Sequence, residues 1–224
     1  MSVNPKWPLA AAGVLLFLFL ASVTVIQRPA SSFWGPGRHS EKRPRLTGAR
    51  PGSSNQDAGP PKPQPRTPLP QLRRPHVVVE KSAHQLTVYD GDRPVRSYRA
   101  AVGSGKGDKV REGDRCTPEG RFIICVRNPK SQFTRALGLS YPNIEDARRG
   151  LRDGLITRPE HDAIVEAARQ GRRPPWDTPL GGEIMIHGGG AGRDWTDGCI
   201  ALADADILEL YAALAVGTPV TILP

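Results

Sequence analysis

Proline is the residue this chain spreads most unevenly, and its placement limits how much of the chain can fold. Eleven of the 23 prolines lie within residues 28–75, in stretches such as GPPKPQPRTPLPQ. Each proline removes a backbone donor and fixes φ, so a tract this dense sustains neither a helix nor a sheet interior. The tract is also basic and poor in apolar side chains, too poor to offset the entropy of ordering it. Residues 28–75 therefore read as a semi-extended, disordered linker. A spacer with weak affinity for anionic polymers and a merely solvated tether both fit that composition.

Charge follows the same partition. The 224 residues carry 31 Lys and Arg against 22 Asp and Glu, a net of +9. The linker alone holds ten basic residues against Glu41 and Asp57, a net of +8, and residues 1–27 add Lys6. Residues 76–224 hold 20 of each sign. The basic pI describes the tether, and the balanced remainder argues against a nucleic-acid-binding domain.

Ahead of the linker, Trp7 to Ile26 is uncharged, WPLAAAGVLLFLFLASVTVI. Twenty helical residues reach about 30 Å, the thickness of a bilayer's hydrocarbon. Leu20-Ala21-Ser22 is a poor cleavage site, so residues 1–27 are expected to be an uncleaved signal anchor, a single transmembrane helix.

Residues 76–224 read as one β-rich α+β domain with a few helices. HVVVEKSAHQLTVYDGDRPVRSYRAAVG alternates apolar and polar residues around an Asp90-Gly91 turn, the pattern of successive strands. RFIICV, Glu183–His187 and Thr218–Leu223 are further strands. Short helices are expected from Asn143 to about Asp153 and, behind the Thr157–Glu160 capping box, up to about Gly171. Asp204–Leu214 is a third helix, with Ile207, Leu208, Tyr211 and Leu214 as its apolar face.

Chemistry concentrates in IHGGGAGRDWTDGCI, residues 186–200. A histidine ends an apolar strand, and a Gly-rich loop leads to a cysteine that opens another apolar segment. Cysteine catalysis needs a thiolate, a base within reach and backbone N–H groups aimed at a developing oxyanion. Cys199, His187 and the unobstructed backbone at Gly198 supply these types. An inert buried thiol beside a core histidine is the alternative. A metal site using Asp197 is weaker, since no CxxC or HxxxH spacing supports it.

Thr196-Asp197-Gly198-Cys199 with His187 upstream resembles the catalytic motif of the L,D-transpeptidase (YkuD-like) family. Ala101-Val102-Gly103, Thr117-Pro118-Glu119-Gly120, Tyr141-Pro142-Asn143 and the closing Gly-Thr-Pro-Val-Thr-Ile agree with it in order, over roughly residues 77–223. The resemblance implies a mixed, β-sandwich-like catalytic domain with peripheral helices, working on peptidoglycan stem peptides without a metal or organic cofactor. It implies Cys199 as nucleophile, His187 as base, the Gly198 and Cys199 amides as oxyanion hole and a backbone carbonyl near Gly188 orienting His187. Tyr141, Asn143, Trp195 and Thr196 become candidate substrate contacts, with packing and turn formation as the other reading of Tyr141, Asn143 and Trp195. Arg127, Lys130 and Arg135 flank a loop and either bind a stem-peptide carboxylate or are simply solvated.

Two positions depart from the commoner family pattern. Asp197 stands where many members have His, and Ala201 where many have Arg or Asn, which is closer to the YafK-like branch. Some of that branch release a peptidoglycan-attached lipoprotein by hydrolysis. Three readings follow: a transpeptidase joining the acyl group to an amine (a cross-link or protein attachment), a hydrolase on the same scaffold, and a non-catalytic wall-binding module. Cys116 and Cys125 bracket one Thr-Pro turn and are a candidate disulfide in an oxidising compartment. The charge bias, Lys6 before the anchor against Arg28, Arg38, Lys42, Arg43 and Arg45 after it, favours a cytoplasmic domain. The implied substrate lies outside the cytoplasmic membrane, and the expected placement follows the substrate: a single-pass membrane protein with its domain in the periplasm or extracytoplasmic space.

Overall fold

In the computed structural model, residues 67–224 are described. The expected anchor, and the linker up to residue 66, lie outside the described residues. None of the described helices is long and apolar enough to cross a membrane.

Eight strands and three helices follow one another in the order β1 (Pro75–Glu80), β2 (Gln85–Asp90), β3 (Arg93–Arg99), β4 (Gly120–Asn128), β5 (Ala136–Leu139), α1 (Ile144–Arg152), α2 (Arg158–Arg169), β6 (Met185–His187), β7 (Ile200–Ala201), α3 (Asp204–Ala213) and β8 (Pro219–Leu223). The alternation read around Asp90-Gly91 is realised as an antiparallel meander of β1, β2 and β3. Val77 and Val79 of β1 face Val88 and Leu86 of β2, and all four are fully buried. The last strand, β8, inserts between β1 and β4, parallel to the first and antiparallel to the second. The complete order is β3-β2-β1-β8-β4-β5-β6-β7, a mixed sheet.

The join in this sheet is β4. Its first half pairs with β8 and its second half with β5, with a register shift at Cys125. Both ladders contribute to one apolar core, in which Ile124, Leu137, Ile186 and Ile200 meet Ile207 and Leu210 of α3. A smaller cluster of Ala147, Ile156, Ile164 and Leu180 holds α1 and α2 together.

Both expected helix starts carry reciprocal caps. Asn143 accepts from the Glu145 and Asp146 amides while Asp146 accepts from the Asn143 N–H; Thr157 and Glu160 do the same for α2. In α3 the buried stripe is Ile207, Leu210 and Leu214, whereas Leu208, expected on it, is 46% exposed. One residue of helix turns the side chain by about 100°, which carries Leu208 off the face that Ile207 occupies.

β5 has no counterpart in the sequence reading. Its four residues, ALGL, are all buried, so no alternation marks them. Nor do Cys116 and Cys125 pair: all three cysteines are free thiols. Cys116 is turned into its own loop, 3.3 Å from the Lys106 carbonyl, while Cys125 occupies the bulge of β4.

Candidate active site

Of the two residues singled out for chemistry, His187 ends β6 and Cys199 immediately precedes β7, the parallel strand beside it. β6 and β7 pair as Ile186 with Ile200 and His187 with Ala201, which sets Cys199 beside Met185. Parallel neighbours need a long return connection, and residues 188–199 provide it as an irregular loop. The outer edge of β7 is closed by bridges from Ala101 to Ala201 and from Gly103 to Thr196.

His187 is 4% exposed and held on every side. Its Nδ1 lies 2.6 Å from the Gly188 carbonyl oxygen. A carbonyl only accepts, so Nδ1 carries the hydrogen and Nε2 keeps its lone pair, the form a general base requires. Phe133 stacks on the imidazole at 4.6 Å between centroids, and Trp195 meets it edge-on at 5.6 Å. The Phe133 carbonyl also receives the Gly188 N–H at 3.0 Å.

The Cys199 thiol donates to the Glu183 carbonyl at 3.5 Å and accepts the Met185 N–H at 3.4 Å. Among the described residues its hydrogen bonds do not include His187. Catalytic contacts of this kind commonly close only around a bound substrate. Burial pushes the thiol pKa up, the Met185 N–H partly opposes this, and the carboxylates of Asp197 and Glu183 add to the rise. Burial pushes the His187 imidazole down, against the Gly188 carbonyl. The resting pair is therefore a neutral thiol with a neutral imidazole, and proton transfer accompanies attack. Alkylation of Cys199 by iodoacetamide should accordingly keep accelerating with pH beyond the ordinary thiol value of 9.0. A plateau reached below neutrality would indicate a preformed thiolate–imidazolium pair instead.

The remaining sequence candidates divide sharply. Thr196 is buried, and its hydroxyl donates to the Cys199 carbonyl at 2.6 Å and accepts the Gly198 N–H at 3.3 Å. It braces the nucleophile's backbone and has no surface for substrate. Because the Gly198 amide is directed to Thr196, it serves an oxyanion only by giving up that bond. Gly198 is itself required by the backbone: φ is +129° and a Cβ there would sit 2.7 Å from the Cys116 carbonyl oxygen.

Tyr141 does not line a cleft. It is fully buried, its hydroxyl donates to the Leu180 carbonyl at 3.0 Å, and its ring packs edge-on against Phe122. The Asn143 side chain is consumed by the cap of α1 and by a 3.4 Å bond to the Arg121 carbonyl. Trp195, with Gly189, Gly190, Gly192 and Arg193, borders an open cleft of about 500 Å³ whose lining includes neither Cys199 nor His187. Arg127 and Arg135 pack against the ring of Tyr211, at 4.3 and 5.8 Å from its centroid, and Lys130 is exposed.

Three further contributors were not among the candidate site residues, although Thr117 lies in one of the quoted motifs. Phe133 lies more than fifty positions from His187, yet holds it by ring and backbone. Glu183 adopts φ +55°, which presents its carbonyl to the thiol. Thr117 donates to the Cys199 carbonyl at 3.4 Å and receives the Gly103 N–H at 2.8 Å.

No curated protein matches the chain. Among solved structures it is similar to an L,D-transpeptidase from Xylanimonas cellulosilytica, at 16% identity over 70% of this chain and 64% of that one, TM-score 0.42. It is also similar to the helical cell shape determining protein Pgp2 from Campylobacter jejuni, at 24% identity over 66% and 46%, TM-score 0.46. An L,D-transpeptidase from Mycobacterium smegmatis matches at 15% identity over 67% and 59%, TM-score 0.40. The chain thus spans about half to two thirds of the length of these proteins. The family model for the YkuD L,D-transpeptidase catalytic domain matches residues 74–222, two thirds of the chain and nearly all of the described sheet and helices. This chain belongs to the YkuD family of L,D-transpeptidase catalytic domains.

Proposed function

We propose that this protein is a membrane-anchored L,D-transpeptidase that acts on peptidoglycan stem peptides through an acyl-enzyme on Cys199. The observation that carries the reading is the His187 imidazole, held with Nδ1–H on the Gly188 carbonyl on the strand next to the nucleophile. Cys199 Sγ attacks the carbonyl of the third stem residue as His187 Nε2 takes the thiol proton. The Cys199 amide, and the Gly198 amide once released from Thr196, receive the oxyanion. The bond to the terminal D-Ala breaks, and its amine leaves with the proton from His187. An acceptor amine, from a second stem peptide or an attached wall protein, then attacks the thioester carbonyl and gives a proton to His187 Nε2. The new amide forms as the C–S bond breaks, and the imidazolium returns that proton to the departing sulfur. Every one of these steps uses side chains and amides of the chain itself.

Incubating the full chain, in detergent, with a disaccharide-tetrapeptide and weighing the products tests this directly. A cross-linked dimer is the expected product. Tripeptide alone would replace transfer with hydrolysis, and unchanged tetrapeptide would overturn catalysis on this substrate.

The placement outside the cytoplasm follows from the substrate and from the uncharged run Trp7–Ile26, against the local charge bias. A reporter active only in the periplasm, fused after residue 75, should be active. Activity confined to a cytoplasmic reporter would reverse the topology.

A further inference from the structure

The base His187 is oriented by a carbonyl in a run of three glycines, Gly188-Gly189-Gly190, where backbone rotation is least restricted. A carbonyl in such a run points one way only if its peptide plane is tied down. The plane in question contains the Gly188 C=O and the Gly189 N–H, which in a trans peptide point to opposite sides. On one side the Gly188 carbonyl meets His187 Nδ1 at 2.6 Å. On the other the Gly189 N–H donates to Asp204 Oδ1 at 2.9 Å.

Neighbouring planes are tied by backbone alone: Gly188 N–H to the Phe133 carbonyl at 3.0 Å and Gly190 N–H to the Leu202 carbonyl at 2.8 Å. Asp204 is the side chain in this set. It stands in the first turn of α3, whose N-cap, Ala203, offers no side-chain bond. The carboxylate nevertheless turns away from its own helix amides, to Gly189 and to the Thr134 hydroxyl. The fit is close, since a Cβ on Gly188 would fall 2.4 Å from Asp204 Oδ1.

We propose that Asp204 is a positioning residue for the general base, acting through the Gly188–Gly189 peptide to hold His187 in its Nδ1–H tautomer. The carboxylate polarises the N–H edge of that peptide, which makes the opposite carbonyl a better acceptor for the imidazole. In effect the carboxylate of a Cys–His–Asp arrangement is displaced by one peptide unit. This rests on the assignment of Cys199 and His187 as nucleophile and base.

The test compares Asp204→Ala with Asp204→Asn in the full chain, in detergent. One readout is iodoacetamide alkylation of Cys199, followed on its own peptide because Cys116 and Cys125 are also free thiols. The other is the ¹⁵N spectrum of the His187 ring, which reports the tautomer. Asp204→Ala should populate both tautomers and leave alkylation near that of the parent, since the resting thiol bonds Met185 and Glu183 and not His187; the alkylation rate thus reports an intact site. Asp204→Asn keeps an acceptor oxygen, and should stay within about threefold of the parent with one tautomer. A single His187 tautomer in Asp204→Ala would overturn the proposal. So would a single tautomer in Asp204→Leu, which keeps the side-chain volume without the acceptor that Gly189 N–H uses and decides the matter if Asp204→Ala does not fold. Neither readout involves peptidoglycan, so failure of turnover on the tetrapeptide would count against the proposed function and leave this outcome separate.

Discussion

Replacing Cys199 by alanine is expected to remove every product of the tetrapeptide reaction while the domain stays folded. The thiol makes two long sulfur contacts, to Glu183 and Met185 at 3.5 and 3.4 Å, and both lie at the edge of the core rather than inside it. Their loss is a small perturbation of stability. Loss of the nucleophile removes the covalent route entirely, because nothing else beside His187 carries an ionisable thiol. His187→Ala should leave a residue of activity, down by about 10²–10⁴-fold, the usual share of a positioned base. The resting thiol makes this loss severe: its pKa is raised, so without the imidazole little thiolate forms near neutrality. Product assays and denaturation curves on both variants check this. Activity surviving in Cys199→Ala would refute the proposed nucleophile.

Gly198→Ala is expected to damage the site severely. The added carbon would meet the Cys116 carbonyl oxygen at 2.7 Å and Ile184 Cδ1 at 3.1 Å, at a φ of +129° that side-chain-bearing residues avoid. Backbone strain and overpacking together should cost about 3–5 kcal/mol, a large share of what holds a domain folded. The obstructing atom is backbone oxygen, so relief requires shifting the segment from Arg115 to Thr117. That segment is itself held by Lys81, which donates to the carbonyls of Gly107 and Thr117 and to Glu119. The denaturation midpoint should therefore drop markedly, and Cys199 in the surviving folded fraction should be displaced from Met185. A midpoint equal to that of the parent would show that the loop yields more easily than these contacts imply.

The sequence made some of this legible and hid the rest for physical reasons. Strands buried on one face alternate, as β1 does, and β2 was readable from Leu86 and Val88 on either side of Thr87; β5 is buried throughout and left no periodicity. Cys199 and His187 stand out because few residue types do their chemistry. The flanking motif residues were harder to sort, since a motif contains scaffolding as well as chemistry. Thr196 and Asn143 lie in the quoted motifs, yet one braces Cys199 and the other caps a helix. Tyr141 is likewise a core residue whose hydroxyl is satisfied by Leu180. Phe133 and Asp204 show the converse. No spacing ties either to His187, and only the fold brings Phe133 onto its ring and Asp204 onto the Gly189 N–H.

The central claim is that Cys199 carries the acyl group. Intact-mass measurement of the full chain during reaction with the disaccharide-tetrapeptide tests it, with peptide mapping to locate any adduct. The expected species is the protein plus the substrate minus D-Ala, bound as a thioester on the Cys199 peptide and missing in Cys199→Ala. Products forming with no such adduct in the parent, or an adduct mapping to Cys116 or Cys125, would contradict it.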